Sequence, residues 1–179
     1  MNKFDVILAD PPWKYSAGGA ESREFAAPYE LMTLDEIKKL PVKDIAKPNS
    51  ALFLWVVEWI NPKEIIDIME NWGFDYRTRA WVWTKSNPSG FGFWSGLGYY
   101  TRSNCEDCWL GIRGNFPAVG RDVLGLIYAP RLEHSRKPDE QYSKIERLYP
   151  NMKYCELFAR NKREGWSSWG NEIVSDFDL

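Results

Sequence analysis

Near the start of the chain an aspartate is followed by two prolines and a tryptophan, Asp10-Pro11-Pro12-Trp13. A residue before proline is held in extended backbone, and each proline ring fixes its own φ, so this run is a stiff corner. It presents a carboxylate, a series of carbonyls and an indole. The prolines donate no N–H, which leaves the corner dominated by acceptors. Acceptors suit a weak nucleophile such as the exocyclic amine of adenine, whose lone pair is delocalised into the ring. A carboxylate and a carbonyl accepting its two N–H bonds would draw the nitrogen toward tetrahedral geometry and free that lone pair. The carboxylate would also favour the positive charge that develops as an electrophile arrives, and Trp13 could stack on the base. The plainer alternative is a rigid strand-to-loop turn with Trp13 capping the core. The flanking strand and the adjoining aromatic favour the chemical role.

The elements that must position this corner follow from pattern. Phe4–Ala9 is an apolar run that predicts a buried strand leading straight into Asp10. Thr33-Leu34-Asp35-Glu36 is a capping box opening a short helix to about Leu40, which Pro41 stops. Ala51–Val57 predicts a second strand. Asn61-Pro62 supplies an N-cap and an N1 proline for a helix that stops at Gly73. Arg79–Lys85, with Trp81 and Trp83 alternating, predicts a third strand in which both indoles pack against neighbours. Asn87–Arg102 has four glycines and no periodicity, and predicts a long functional loop. Strands follow at Cys108–Ile112 and Leu124–Ala129, a helix from Lys137-Pro138-Asp139-Glu140 to Pro150, a last strand over Lys153–Arg160, and a short turn or helix from Trp166 to Val174. Strands alternating with helices at this spacing predict an α/β domain with a largely parallel sheet, whose ligand edge lies beyond the strands' carboxyl ends.

Composition narrows the partners. The 179 residues carry 23 Lys plus Arg against 25 Asp plus Glu, a net charge of -2, so any nucleic-acid contact is a local patch, a brief encounter or shared with a partner. Aromatic residues make up 16%, many of them in loop-like stretches where they serve as core lids or as stacking surfaces. Cys105 and Cys108 have metal-ligand spacing, but Cys155 is the only other cysteine and His134 the only histidine, so no metal is expected. No signal peptide and no long apolar run are evident, which predicts a cytoplasmic protein without a membrane span. His134 and Arg136 could meet phosphate or make ordinary surface contacts. Arg77 and Arg79 fit a solvated face.

Beyond the corner, the chain carries Pro28-Tyr29, Leu52-Phe-Leu-Trp55, Trp83-Thr-Lys85, Cys105-Glu106, His134–Glu140, Ile145-Glu-Arg-Leu148, Glu156-Leu-Phe158 and Trp166 through Glu172, in that order. With these blocks it resembles the adenine-N6 methyltransferase family that includes the catalytic subunit of the eukaryotic mRNA adenosine methyltransferase. The resemblance implies a Rossmann-like, S-adenosylmethionine-dependent methyltransferase fold in permuted order, catalytic strand first and the strand of the cofactor half last. It implies that Asp10, Pro11, Pro12 and Trp13 hold the target amine, and that Tyr29, Glu106 and Lys137 line the base pocket. Asp10, Lys137, Phe158, Arg160, Lys162, Arg163, Asn171 and Glu172 would contact the cofactor. Lys162-Arg163 stands where close relatives have His-Asn, and Glu172 where Gln is common.

The expectation is therefore a single methyltransferase domain over residues 1–179, without a separate target-recognition domain. It would transfer methyl from S-adenosylmethionine to adenine N6 in nucleic acid, DNA before RNA, as small phage and bacterial members do. Sequence preference would come from loops such as Ala17–Ala27 and Asn87–Arg102, and a homodimer or heteromeric partner would meet the latter. The rival readings are a non-catalytic subunit that binds nucleic acid or a sister protein, and a methyltransferase for another planar amine.

Overall fold

The structure is a computed structural model that describes residues 3–14, 30–97, 100–131 and 136–179. Strand β1 (Phe4–Ala9) is buried along its whole length. Helices α1 (Leu34–Lys39) and α2 (Val42–Ile45) lead into β2 (Ala46–Val56), and α3 (Pro62–Asn71) into β3 (Asp75–Ser86). The chain then builds β4 (Cys105–Arg113), β5 (Leu126–Pro130), α4 (Glu140–Leu148), β6 (Tyr154–Leu157) and β7 (Trp166–Trp169). The strands form one seven-stranded sheet in the order β5-β3-β4-β2-β1-β6-β7. Every neighbouring pair is parallel except the two that involve β4.

Alternation along the central strands divides the core between the two faces of the sheet. Ile7, Ala9, Leu52, Leu54 and Val56 meet the apolar residues of α1 to α3, among them Ile37, Val42, Ile65 and Met69. Val6, Leu8, Phe53 and Trp55 pack on the other side with Trp81, Trp83, Ile145 of α4 and Tyr149. Both faces are thus covered, as the continuous apolar runs of β1 and β2 require.

The local signals act as expected. Glu36 N–H donates to the Thr33 hydroxyl and Thr33 N–H to the Glu36 carboxylate, which closes the capping box. The Asn61 side chain caps α3 by accepting from Lys63 N–H at 3.0 Å, and Gly73 ends the helix region at φ +85.

The last strand expected over Lys153–Arg160 ends early, at Leu157, because Phe158 turns the chain with a left-handed φ, and two larger features also differ from expectation. Trp166–Trp169 is a strand, not a turn or helix, so the strand of the cofactor half is followed by one more at the sheet edge. Trp166 and Ser168 are buried while Ser167 and Trp169 are half-exposed, the period of two that four residues are too few to announce. The other is β4, which inserts antiparallel between β2 and β3 because the long loop after β3 returns the chain along the same edge. Its amino end therefore lies at the carboxyl end of its neighbours.

Candidate active site

Asp10 is the first residue beyond β1, at the carboxyl edge of the sheet. Trp13 N–H donates to the Pro11 carbonyl at 2.9 Å, and Met32 N–H donates to that of Pro12 at 2.8 Å, so the corner is bound to itself and to the chain before α1. The proline carbonyls expected to stand open each accept one backbone bond already. A carbonyl oxygen has two lone pairs, so each retains one acceptor direction. Trp13 corrects expectation further. It is buried, 6% exposed, and its indole N–H donates to the Trp55 carbonyl at 3.3 Å. It locks the corner onto the end of β2 and leaves little ring face for a base.

Lys137, just ahead of α4, reaches Asp10 with its ammonium 2.9 and 2.7 Å from the two carboxylate oxygens. The same ammonium lies 3.3 Å from Glu106 of β4 and 5.4 Å from the centre of the Trp55 ring. Trp55 in turn donates its indole N–H to Gln141 at 2.7 Å. Glu106 also receives the Lys85 ammonium from β3. Antiparallel β4 makes this possible, because it sets Glu106 directly beside Trp83 in the register, next to the end of β3.

The electrostatics follow from burial set against pairing. Burial pushes the Asp10 carboxyl up, and Lys137 only partly offsets this. Burial acts on Glu106 as well, but Lys137 and Lys85 together outweigh it and hold that carboxyl below its usual range. Lys137 loses solvation yet gains both carboxylates, which keeps it an ammonium well above its ordinary value. The Asp10 side chain is still 28% exposed, so a substrate can reach it.

A cavity of about 450 Å³ opens beside this cluster. Asp10, Trp55 and Lys137 line one end, while Glu156, Phe158, Arg160, Lys162 and Arg163 line the other. Phe158 takes a left-handed φ of +62 at the sharp turn after β6, a conformation that costs a non-glycine residue ~1 kcal/mol or more. Its ring stands edge-on to Trp169 at 5.5 Å, and Ala159 N–H donates to the Trp169 carbonyl at 2.9 Å. Gly170 faces the Ala159 backbone so closely that a Cβ has no room. Arg160 pairs with Glu172 at 2.9 Å, and Lys162 pairs with Asp176. Asn171 and Glu172 are exposed and do not line the cavity, although Glu172 touches its wall through Arg160. Tyr29 and His134 lie outside the described residues.

Glu156 was not singled out by sequence reasoning. Burial pushes its carboxyl up to about 7, against the hydroxyl of Tyr142, which donates to it at 3.0 Å. Tyr142 lies between the Arg163 guanidinium, 4.4 Å from its ring centre, and the edge of Trp166 at 5.2 Å. The available signal was a lone acid within the apolar stretch Tyr154-Cys155-Glu156-Leu157. Lys85 was likewise a lone cation at the end of an aromatic strand. The three cysteines are free, and burial raises the thiols of Cys108 and Cys155. Among the described residues no cluster of His, Cys, Asp and Glu could hold a metal ion, and no helix is long and apolar enough to cross a membrane.

The MT-A70 family pattern matches residues 4–172. The chain belongs to the MT-A70 family. It is 33% identical to the type II methyltransferase M.MunI of Mycoplasma sp, over 96% of this chain and 78% of that protein. It is 34% identical to the N(6)-adenosine-methyltransferase MT-A70-like protein of Arabidopsis thaliana, over 97% of this chain but 24% of the relative. With the human N(6)-adenosine-methyltransferase catalytic subunit METTL3 it shares 30% identity, over 97% of this chain and 29% of the relative. MT-A70 methyltransferases use S-adenosylmethionine as methyl donor, and this MT-A70 chain has a cavity that fits it. The volume lies in the range of small-molecule sites. Tyr142 and Phe158 offer aromatic surface, the Arg163 Nε is buried without a hydrogen-bond partner among the described residues, and both carboxylates and cations line the wall.

Proposed function

We propose that this chain transfers a methyl group from S-adenosylmethionine to the N6 amine of adenine in nucleic acid, DNA in preference to RNA. The observation that carries the proposal is the Asp10–Lys137–Glu106 cluster, set on the Asp-Pro-Pro-Trp corner and opening onto the cavity. The bound cofactor supplies an electrophilic methyl group on a sulfonium. Phe158, Arg160, Lys162 and Arg163 would hold it along the cavity wall, with Glu156 inside. Asn171 and Glu172 would meet its outer part, and Lys137 and Asp10 would stand at its reacting end.

The chain's own contribution is placement and charge. Asp10 accepts one N–H of the target amine, and the remaining acceptor direction of Pro11 accepts the other. This localises the nitrogen lone pair along the line of attack. As the methyl group transfers, positive charge appears on the nitrogen, and Asp10 stabilises it in a site where water is scarce. The nitrogen is then strongly acidic, so solvent takes its proton and no strong base is required. Glu106 and Tyr29 would meet the ring edge of the base, with Lys137 beside them, while Trp13 keeps the corner rigid from beneath.

The preference for DNA draws on the likeness to the type II methyltransferase M.MunI, 33% identical over 96% of this chain. Phe91, Phe93 and Leu97, which are 83%, 66% and 83% exposed, are where we place contact with a partner subunit. The test is transfer of labelled methyl to single- and double-stranded DNA and RNA, with the product nucleoside identified by mass spectrometry. N6-methyladenine from the wild type and none from Asp10→Ala is the expected result. Cofactor binding without transfer to any polymer would overturn it.

A further inference from the structure

Lys85 is a cation beside the reacting end of the site that the transfer described above leaves without a task. Its side chain is 11% exposed. The ammonium rests 5.1 Å from the ring centre of Trp83 and 5.4 Å from that of Trp94. Trp94 N–H donates to the Lys85 carbonyl at 2.9 Å, which ties the residue to the long loop after β3. The ammonium meets one oxygen of Glu106, and the other oxygen of Glu106 faces Lys137 at 3.3 Å. Lys137 in turn holds Asp10.

Lys85, Glu106, Lys137 and Asp10 thus form a row of alternating charge that sums to zero. Without Lys85, two carboxylates would share one ammonium. A poorly solvated site relieves such an excess by protonating a carboxyl or by drawing the shared cation toward one partner. Either response works against Asp10, whose carboxyl is already the one that burial destabilises as an anion. The other charged and titratable groups facing the row do not replace Lys85. Arg160 and Glu156 act on Asp10 from the β6 side in opposite senses, Cys108 is a buried neutral thiol on β4, and Arg131 lies over the Trp94 ring at 4.9 Å.

We propose that Lys85 is a positioning residue for methyl transfer: by balancing Glu106 it leaves the charge of Lys137 to Asp10, which stays ionised and able to accept from the target amine. The proposal rests on Asp10 being the group that binds that amine.

The experiment compares the wild type with Lys85→Met, Lys85→Arg and the double variant Lys85→Met/Glu106→Gln, using single-turnover transfer at saturating cofactor across pH. Lys85→Met is expected to move the acid limb of the profile upward by about one pH unit or more, with activity recovering at high pH. Lys85→Arg keeps the wild-type limb. The double variant, again with one cation for one anion, returns to the wild-type limb at a lower rate. Infrared difference spectra of the apoprotein at neutral pH provide a readout that needs no substrate. Lys85→Met should show an additional protonated-carboxyl band that the double variant lacks. A wild type that methylates no nucleic acid would defeat the adenine assignment while leaving the infrared test in force. A uniform loss of rate with an unmoved limb, or a folded Lys85→Met without the added band, overturns the role of Lys85. If Lys85→Met does not fold, a folded double variant with a wild-type limb carries the proposal, and a double variant that also fails to fold overturns it.

Discussion

The two ends of the cavity are built on different principles. At the corner end, Lys137 is 10% exposed and holds Asp10 and Glu106 at fixed distances, on backbone stiffened by two prolines. At the far end, Arg160 and Glu172 pair with 35% and 44% of their side chains open, and Lys162 and Asp176 pair with similar exposure. Charge that must act on a developing cation has to be dry and immobile, because water would screen it and motion would misplace it. Charge that only has to grip a ligand can remain solvated and adjust.

Removing Lys137 should break the contrast most severely. Lys137→Met leaves the half-buried carboxylates of Asp10 and Glu106 without their shared cation, a change that costs about 3 kcal/mol, read as a fall in the urea midpoint. Next comes Asp10→Asn, which keeps the shape and an acceptor but loses the charge. Single-turnover methyl transfer should fall about 10²- to 10³-fold, and an unchanged rate would remove Asp10 from the chemistry.

Glu156 tests whether the far end contains one dry group. Its folded value, pushed up to about 7 from 4.5, means that the native state holds this proton more tightly than the unfolded chain does. Stability of the apoprotein should therefore fall as pH rises from about 4.5 to 7, and Glu156→Gln should flatten that part of the profile. A slope that survives the substitution assigns it elsewhere.

Trp13→Phe removes the bond to the Trp55 carbonyl and should cost about 1 kcal/mol, with a loss of rate larger than the loss of cofactor affinity. The smallest effect belongs to the Arg160–Glu172 pair. A double-mutant cycle should give it less than about 1 kcal/mol, and a larger coupling would mean that the two ends are less different than their exposure implies.

Much of this site was legible in the residues themselves. The corner, the strand before it, the capping box and the N-cap of α3 all follow from restrictions that a few neighbouring residues impose on one another. Arg160, Lys162 and Arg163 could be placed at the ligand edge because they stand at or beyond the end of an expected strand, and strand ends mark that edge of such a sheet; Phe158 came only from the resemblance. Trp13 was misjudged because an aromatic beside a carboxylate looks the same whether its face is open or packed. Glu156 and Lys85 were passed over because one is a lone acid in an apolar strand and the other a lysine at the end of a strand of mixed character, and nothing local says which polar partner each will meet.

The sequence by itself determined the stiffness of Asp10-Pro11-Pro12-Trp13, the alternation that divides β1 and β2 between two cores, and the helix starts, since these depend on φ restriction and on periods of two and 3.6. Tertiary structure alone decided that Lys137 meets Asp10 from 127 positions away, that β4 runs antiparallel and so delivers Glu106 to Lys85, and that Trp166–Trp169 closes the sheet edge. The physical reason is that register and strand direction belong to pairs of distant segments. Whether a buried charge is balanced depends on what those pairings bring within a few ångströms.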